Sequence, residues 1–353
     1  MSAAAPARPA RALLLVLLAL LLGGCAAWRD WRAGVHTPAV AAGDPALQAR
    51  LERLYADGAA ALAGGDIDAT LVAWRAYARQ APRELPQARR VRGYLTLLER
   101  ESARRFAREA VARERAGQGL ATASAPARAD PLHVALFPLR GEGLAGAREP
   151  FGRALLAMLS VDLAKVPAIT LLERERIDAL LRERQLAASG LVAPDAAALQ
   201  AQARLLGAGS VVAGLVINEP SPEGPGAGRY RIHTAVSDVV AGRVVGTQEA
   251  DGRQAEFFVL QKQIVRGILD TLGVKEIPPE VERVHTRSWA AYARFAAGLA
   301  ALAEDRYDDA RTAFRAALAI DPGFALAEDA FAAVPERAAT PAQIAAEAAA
   351  RPR

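Results

Sequence analysis

The chain has 353 residues, an apolar fraction of 52% swollen by alanine, only 5% aromatics and a formal net charge of +5. Its length leaves room for two or three folded units. Lysine occurs only at Lys165, Lys262 and Lys275, and the many arginines alternate with acids along stretches such as 99–115. That alternation is a solvated helix face with local ion pairs, so basic charge here does not argue for a nucleic-acid partner.

The N-terminus has the order of an export signal. Arg8 and Arg11 precede an apolar run from Ala12 to Leu22, and Gly23, Gly24 and Cys25 follow. The run is shorter than the roughly 20 apolar residues of a membrane span. Leu22-Gly23-Gly24-Cys25 resembles the lipobox of bacterial lipoproteins, which implies removal of residues 1–24 and lipidation of Cys25. With Ala26 behind the cysteine, the resemblance favours the periplasmic face of the outer membrane. The competing readings are an ordinary signal peptide and a short uncleaved anchor. Cys25 is the single cysteine, so no intramolecular disulfide supports the fold. Residues 25–44 read as a tether, in which Trp28 and Trp31 either sit in the headgroup layer or are unstructured.

Residues 45–117 are predicted to be helical. Leu47, Leu51, Leu54 and Tyr55 recur at helical spacing, Gly64-Gly65-Asp66 breaks the run, and a second helix passes through Trp74 and Tyr77 to Pro82. A long charged helix follows from about Gln87 to Arg115, then a linker over 118–131. Residues 132–273 change character. Strands are predicted at His133–Leu139, Ala168–Leu172, Ser210–Asn218, Tyr230–Asp238 and Arg243–Glu249, with helices at Phe151–Lys165, Glu173–Leu186, Pro194–Leu206 and Ala255–Leu272. Asp238 to Gly242 reads as a hairpin turn. The order implies an α/β (α+β) unit with helices on a mixed sheet.

After Pro278-Pro279 the pattern is helical again over 280–331. Gly298, Tyr307, Ala310, Phe314, Ala317 and Pro322 fall at the spacings of one tetratricopeptide (TPR) repeat, in which small residues let two helices approach. Gly58, Ile67, Trp74 and Pro82 repeat that spacing less completely. The Ala-rich tail, 332–353, reads as a loose helix or as disordered.

Catalytic chemistry finds little support. Gly141, Gly143 and Gly146 match G-x-G-x-x-G after a strand, but Glu173, the next acid in a suitable place, lies 27 residues beyond Gly146. A dinucleotide site wants that acid at about 20, so a flexible glycine loop is the reading. His36, His133, His233 and His285 are scattered, without the i, i+4 pairing of a helical zinc site. No nucleophile elbow and no phosphate loop are present. The expectation is a non-enzyme without cofactor or metal.

Four segments of the central unit resemble the CsgG/HfaB family of curli secretion and holdfast anchoring: HVALFPL; FGRALLAMLSVDLAKVPAITLLERERIDALLRERQLAASGLV; LLGAGSVVAGLV; and YRIHTAVSDVVAGRVVGTQEADG. The resemblance implies a CsgG-like periplasmic domain flanked by all-α TPR-like segments. Pore-forming members of that family insert two β-hairpins per subunit into the membrane, each needing about 20 residues plus a turn. Only Ser221 to Arg229 separates two strands where one hairpin would fall, and the chain turns to helix soon after Glu249. The expected function is therefore a lipid-anchored scaffold for surface-structure assembly or secretion. It would bind envelope proteins through the TPR-like helices, around Phe314, and through an exposed sheet face. A regulator of a peptidoglycan enzyme and a ring-forming pore subunit are the alternatives, and homo-oligomers are a further expectation.

Overall fold

The computed structural model describes residues 44–116, 130–144, 150–187, 196–219, 221 and 228–350. The expectations for the signal segment, Cys25, Trp28, Trp31, His36, Gly146, Pro194 and most of the linker lie outside these residues.

Three helices open the described chain: α1 Pro45–Ala63, α2 Ile67–Gln80 and α3 Pro86–Arg115. Asp44 caps α1 by accepting from the amides of Ala46 and Leu47, and Asp66 caps α2 by accepting from Ala69. Both satisfy amides that a helix start leaves without partners. At 30 residues, α3 is about 45 Å long.

The α/β unit follows with β1 His133–Leu136, β2 Arg140–Glu142, α4 Phe151–Ala164, β3 Thr170–Leu171, α5 Arg174–Ala187, α6 Ala196–Leu205, β4 Ser210–Glu219, β5 Arg229–Asp238, β6 Arg243–Arg253 and α7 Phe257–Thr271. The sheet order is β3-β1-β4-β5-β6, with β2 also on β4. β1 runs parallel to β3 and β4, whereas β4, β5 and β6 form an antiparallel meander with Ser210 opposite Asp238 and Arg229 opposite Arg253. At the expected hairpin the Asp238 carboxylate accepts from the Val240 and Ala241 amides, and Gly242 takes φ +67°.

Strand alternation sends the side chains to two different cores. Val134, Leu136, Val212, Val216, Ile232 and Val236 pack against α4 and α7. Ala135, Phe137 and Val211 pack against Ile177 of α5 and Ala203 of α6. The predicted strand His133–Leu139 is interrupted after Leu136, and β2 is an element the sequence reading lacks. Its Gly141 and Glu142 lie opposite Val216 and Ile217. The expected glycine loop is thus in part a strand.

The chain ends with α8 Pro279–Glu282, α9 Trp289–Ala303, α10 Tyr307–Ile320, α11 Ala325–Ala332 and α12 Pro341–Ala349. The tail read as loose contains α12, which has a capping box from Thr340 and Gln343. Its Ile344 and Ala348 join Leu71, Trp74, Tyr94 and Leu98 in the N-terminal helical core. The two helical segments are therefore one layer, not separate arms.

Candidate interaction surface

In both helical hairpins a glycine meets an aromatic ring sixteen residues later. A Cβ on Gly58 would lie 2.2 Å from Trp74 Cδ1, and one on Gly298 would lie 2.4 Å from Phe314 Cε1. Each pair lets two helices approach more closely than a side chain would allow. Trp74 Nε1 donates to the Tyr55 carbonyl at 3.1 Å. Ala310, Phe314 and Ala317 are fully buried, and the Phe295 ring packs at tilted angles against Phe314 and Phe324, with centroids at 5.8 and 4.9 Å. Pro322 is exposed in the turn after α10. The structure thus brings Gly298, Ala310, Phe314 and Ala317 to one helix–helix seam, with Pro322 outside it. Phe314 is fully buried in this seam, so a groove around it would be lined by its neighbours and not by the ring.

Polar contacts of great sequence separation fix the helical layer. Tyr94 donates to the Glu347 carboxylate at 2.6 Å, and Thr96 donates to the Ala333 carbonyl at 2.8 Å. Burial and Glu347 raise the Tyr94 phenol well above its ordinary value, so it stays a donor. Arg100 donates to the Leu302 carbonyl and Asp305, closing the C-terminal end of α9 against α3. Asp305 takes φ +59° there, a left-handed turn conformation.

The helical layer is joined to the α/β unit at three places. Arg75 of α2 bridges Glu99 of α3 and Glu173, the residue before α5, at 2.9 and 3.1 Å. Burial raises the Glu99 carboxyl, and Arg75 opposes that shift. Ala103, Ala107 and Ala110 give α3 a small-residue stripe against Ala179 and Leu180 of α5. Trp289 and Tyr292 of α9 enter a cluster with Phe151, Tyr230, Phe257 and Phe258, and the Tyr292 hydroxyl donates to the Phe151 carbonyl at 2.7 Å. Glu173 begins the Glu173-Arg174 block that stands out in the sequence, and it docks the N-terminal helices.

A buried polar cluster had no sequence signal. Asp162 of α4 is 0% exposed and takes Lys262 and Gln261 of α7 on Oδ2, with Lys165 Nζ at 3.0 Å on Oδ1. His285 Nε2 lies 3.0 Å from Oδ1. Burial alone would raise the Asp162 carboxyl, but His285, Lys262 and Gln261 reverse this and hold it well below the usual carboxylate range. Burial lowers the Lys262 ammonium against the pull of Asp162. Lys165 also donates to the Glu280 carbonyl, so the cluster pins the 272–289 connection onto the α/β core. Residues one hundred positions apart, such as Asp162 and Lys262, leave no local pattern to read.

The other functional candidates take structural places. Gly143 has φ +66°, and a Cβ there would lie 2.2 Å from the Asn218 carbonyl oxygen. The glycine serves close contact between β2 and β4. His133 is on β1, and His233 is on β5 beside Glu249 at 3.9 Å. Among the described residues no group of three His, Cys, Asp or Glu could hold a metal. No helix of these residues is long and apolar enough to cross a membrane.

The second sheet face is half-open toward β5 and β6. It carries cross-strand pairs, Arg229 with Asp251 at 2.7 Å and Arg231 with Glu249 at 3.3 Å, beside partly buried Leu215 and Ile217. Val240, Val244 and Val245 are exposed at the adjoining hairpin.

Residues 142–248, from the end of β2 into β6, match the family model of the curli production assembly/transport component CsgG. The α/β unit is therefore similar to the CsgG family over that segment. Among curated proteins none matches this chain.

Proposed function

From the CsgG domain at 142–248 we propose that the chain is a non-catalytic scaffold for assembly or secretion of a curli-like surface structure. It is anchored by a lipid on Cys25 at the periplasmic face of the outer membrane. The observation that supports a scaffold over a pore is the length of two connections. β4 and β5 pair through to Glu219 and Arg229, and β6 passes to α7 through the short helical turn Gln254–Glu256. A membrane hairpin needs two strands of about 9–11 residues each, which neither connection supplies. The helical layer reads as TPR-like on the strength of the Gly298–Phe314 and Gly58–Trp74 seams, and with the half-open sheet face it presents the binding surface.

Two measurements test this. Cys25→Ser should move the protein from the membrane fraction to the soluble periplasm, and retention in the membrane would refute a lipid as sole attachment. The purified protein should give no channel conductance across a planar bilayer. Stepwise conductance would turn the reading into a secretion pore subunit.

A further inference from the structure

Five arginines meet where the helical layer joins the CsgG domain. Arg100 and Arg104 come from α3, Arg153 from the first turn of α4, and Arg174 and Arg182 from α5; they line a cleft of about 150 Å³. Leu299, Leu302 and Ala303 of α9 form an apolar wall. Only two carboxylates, Glu175 and Asp178, line the same cleft. Asp178 lies 3.6 Å from Arg174, Arg104 is 3.8 Å from Glu101, and Arg100 is held by Asp305 and the Leu302 carbonyl. The Arg153 side chain is exposed, and its guanidinium has no ion pair or hydrogen bond among the described residues. Partial burial lowers its guanidinium pKa, and the neighbouring Arg174 and Arg182 add to this.

We infer that this cleft binds a phosphate group. Guanidinium forks match oxyanions, and a phosphate offers them more oxygens and more charge than a carboxylate. Here the forks converge from three helices, an arrangement that fits the three terminal oxygens of a phosphomonoester. Because α3 and α9 belong to the helical layer and α4 and α5 to the CsgG domain, an occupied cleft ties the two parts together. The site is independent of the scaffold reading, and its loss would leave that reading standing.

Isothermal titration calorimetry of the full chain in detergent, with inorganic phosphate at constant ionic strength, tests it. Phosphate should bind saturably and acetate should not. Arg153→Gln should weaken phosphate binding about tenfold, or about 1.4 kcal/mol, with no change in thermal midpoint. Arg243→Gln, on the β5–β6 hairpin, should bind as the parent does. Absence of saturable phosphate binding, equal binding of acetate, or undiminished affinity in Arg153→Gln overturns the assignment. Glycerol 3-phosphate and a short-chain phosphatidic acid then separate the sources. Tighter binding of the lipid analogue assigns a headgroup with its acyl chains on Leu299 and Leu302, and tighter binding of glycerol 3-phosphate assigns a soluble phosphomonoester.

Discussion

Replacing Asp162 with alanine removes the anion from a site that holds two lysines and a histidine. Lys165 is 31% exposed and can turn to water. Lys262, 5% exposed, keeps a charge it cannot solvate. Breaking a buried pair in this way costs about 3–5 kcal/mol, a large share of the roughly 5–15 kcal/mol that holds a typical protein together. Thermal unfolding should fall by roughly 5–9 °C. Urea unfolding followed by tryptophan fluorescence reads the same loss, because Trp289 sits in the adjoining aromatic cluster. The double variant Asp162→Leu/Lys262→Met removes both charges, and it should recover most of the loss, since replacing a buried pair by apolar residues is often neutral. A single variant within about 1 kcal/mol of the parent would show that these charges are hydrated and the reasoning wrong. A double variant as weak as the single would place the damage in packing.

The same carboxylate sets an acid limit. The groups facing it are Lys165, Lys262 and His285, with Glu282 acting on Lys262. Its pKa is depressed below the unfolded value of about 3.9, so its contribution is present above that pH and lost as pH falls through the folded value. Stability from this group should hold from pH 7 to 5 and drop below about pH 4, and the drop should be smaller in the double variant. Gly298→Ala should destabilise despite a helix-propensity gain of about 1 kcal/mol, because overpacking against Phe314 costs about 1–3 kcal/mol. Adding Phe314→Leu should relieve part of it, and strictly additive effects in that cycle would refute the contact. Ile344→Ala should cost about 2–5 kcal/mol and quicken amide exchange in α1 and α2; unchanged exchange there would separate α12 from that core.

Local pattern made most elements legible. The period of Leu155, Leu156, Leu159 and Leu163 announces α4, and the Asp238–Gly242 turn fixes β5 and β6. The CsgG resemblance, carried by four segments between 133 and 252, agrees with the match over 142–248, and HVALFPL lies before it. β2 escaped because three residues rich in glycine carry no alternation. α12 escaped because alanine gives a weak periodic signal, and Ile344 is the one large apolar residue it carries. The Asp162 cluster and the arginine cleft escaped for a different reason. Their members are ordinary charged residues on separate helices, and only tertiary packing shows that they converge.

The core around Trp74 draws residues from both ends of the chain, and this has a consequence in time. Tyr94 and its partner Glu347 are 253 positions apart. A chain that appears N-terminus first at about 5–20 residues per second leaves α1 and α2 without α12 for roughly 13–50 s. During that interval the surface that Ile344 will cover is open to chaperones and proteases. A chain cut short before residue 341 keeps it open for good. The helix α12 therefore completes a core that α1 and α2 begin.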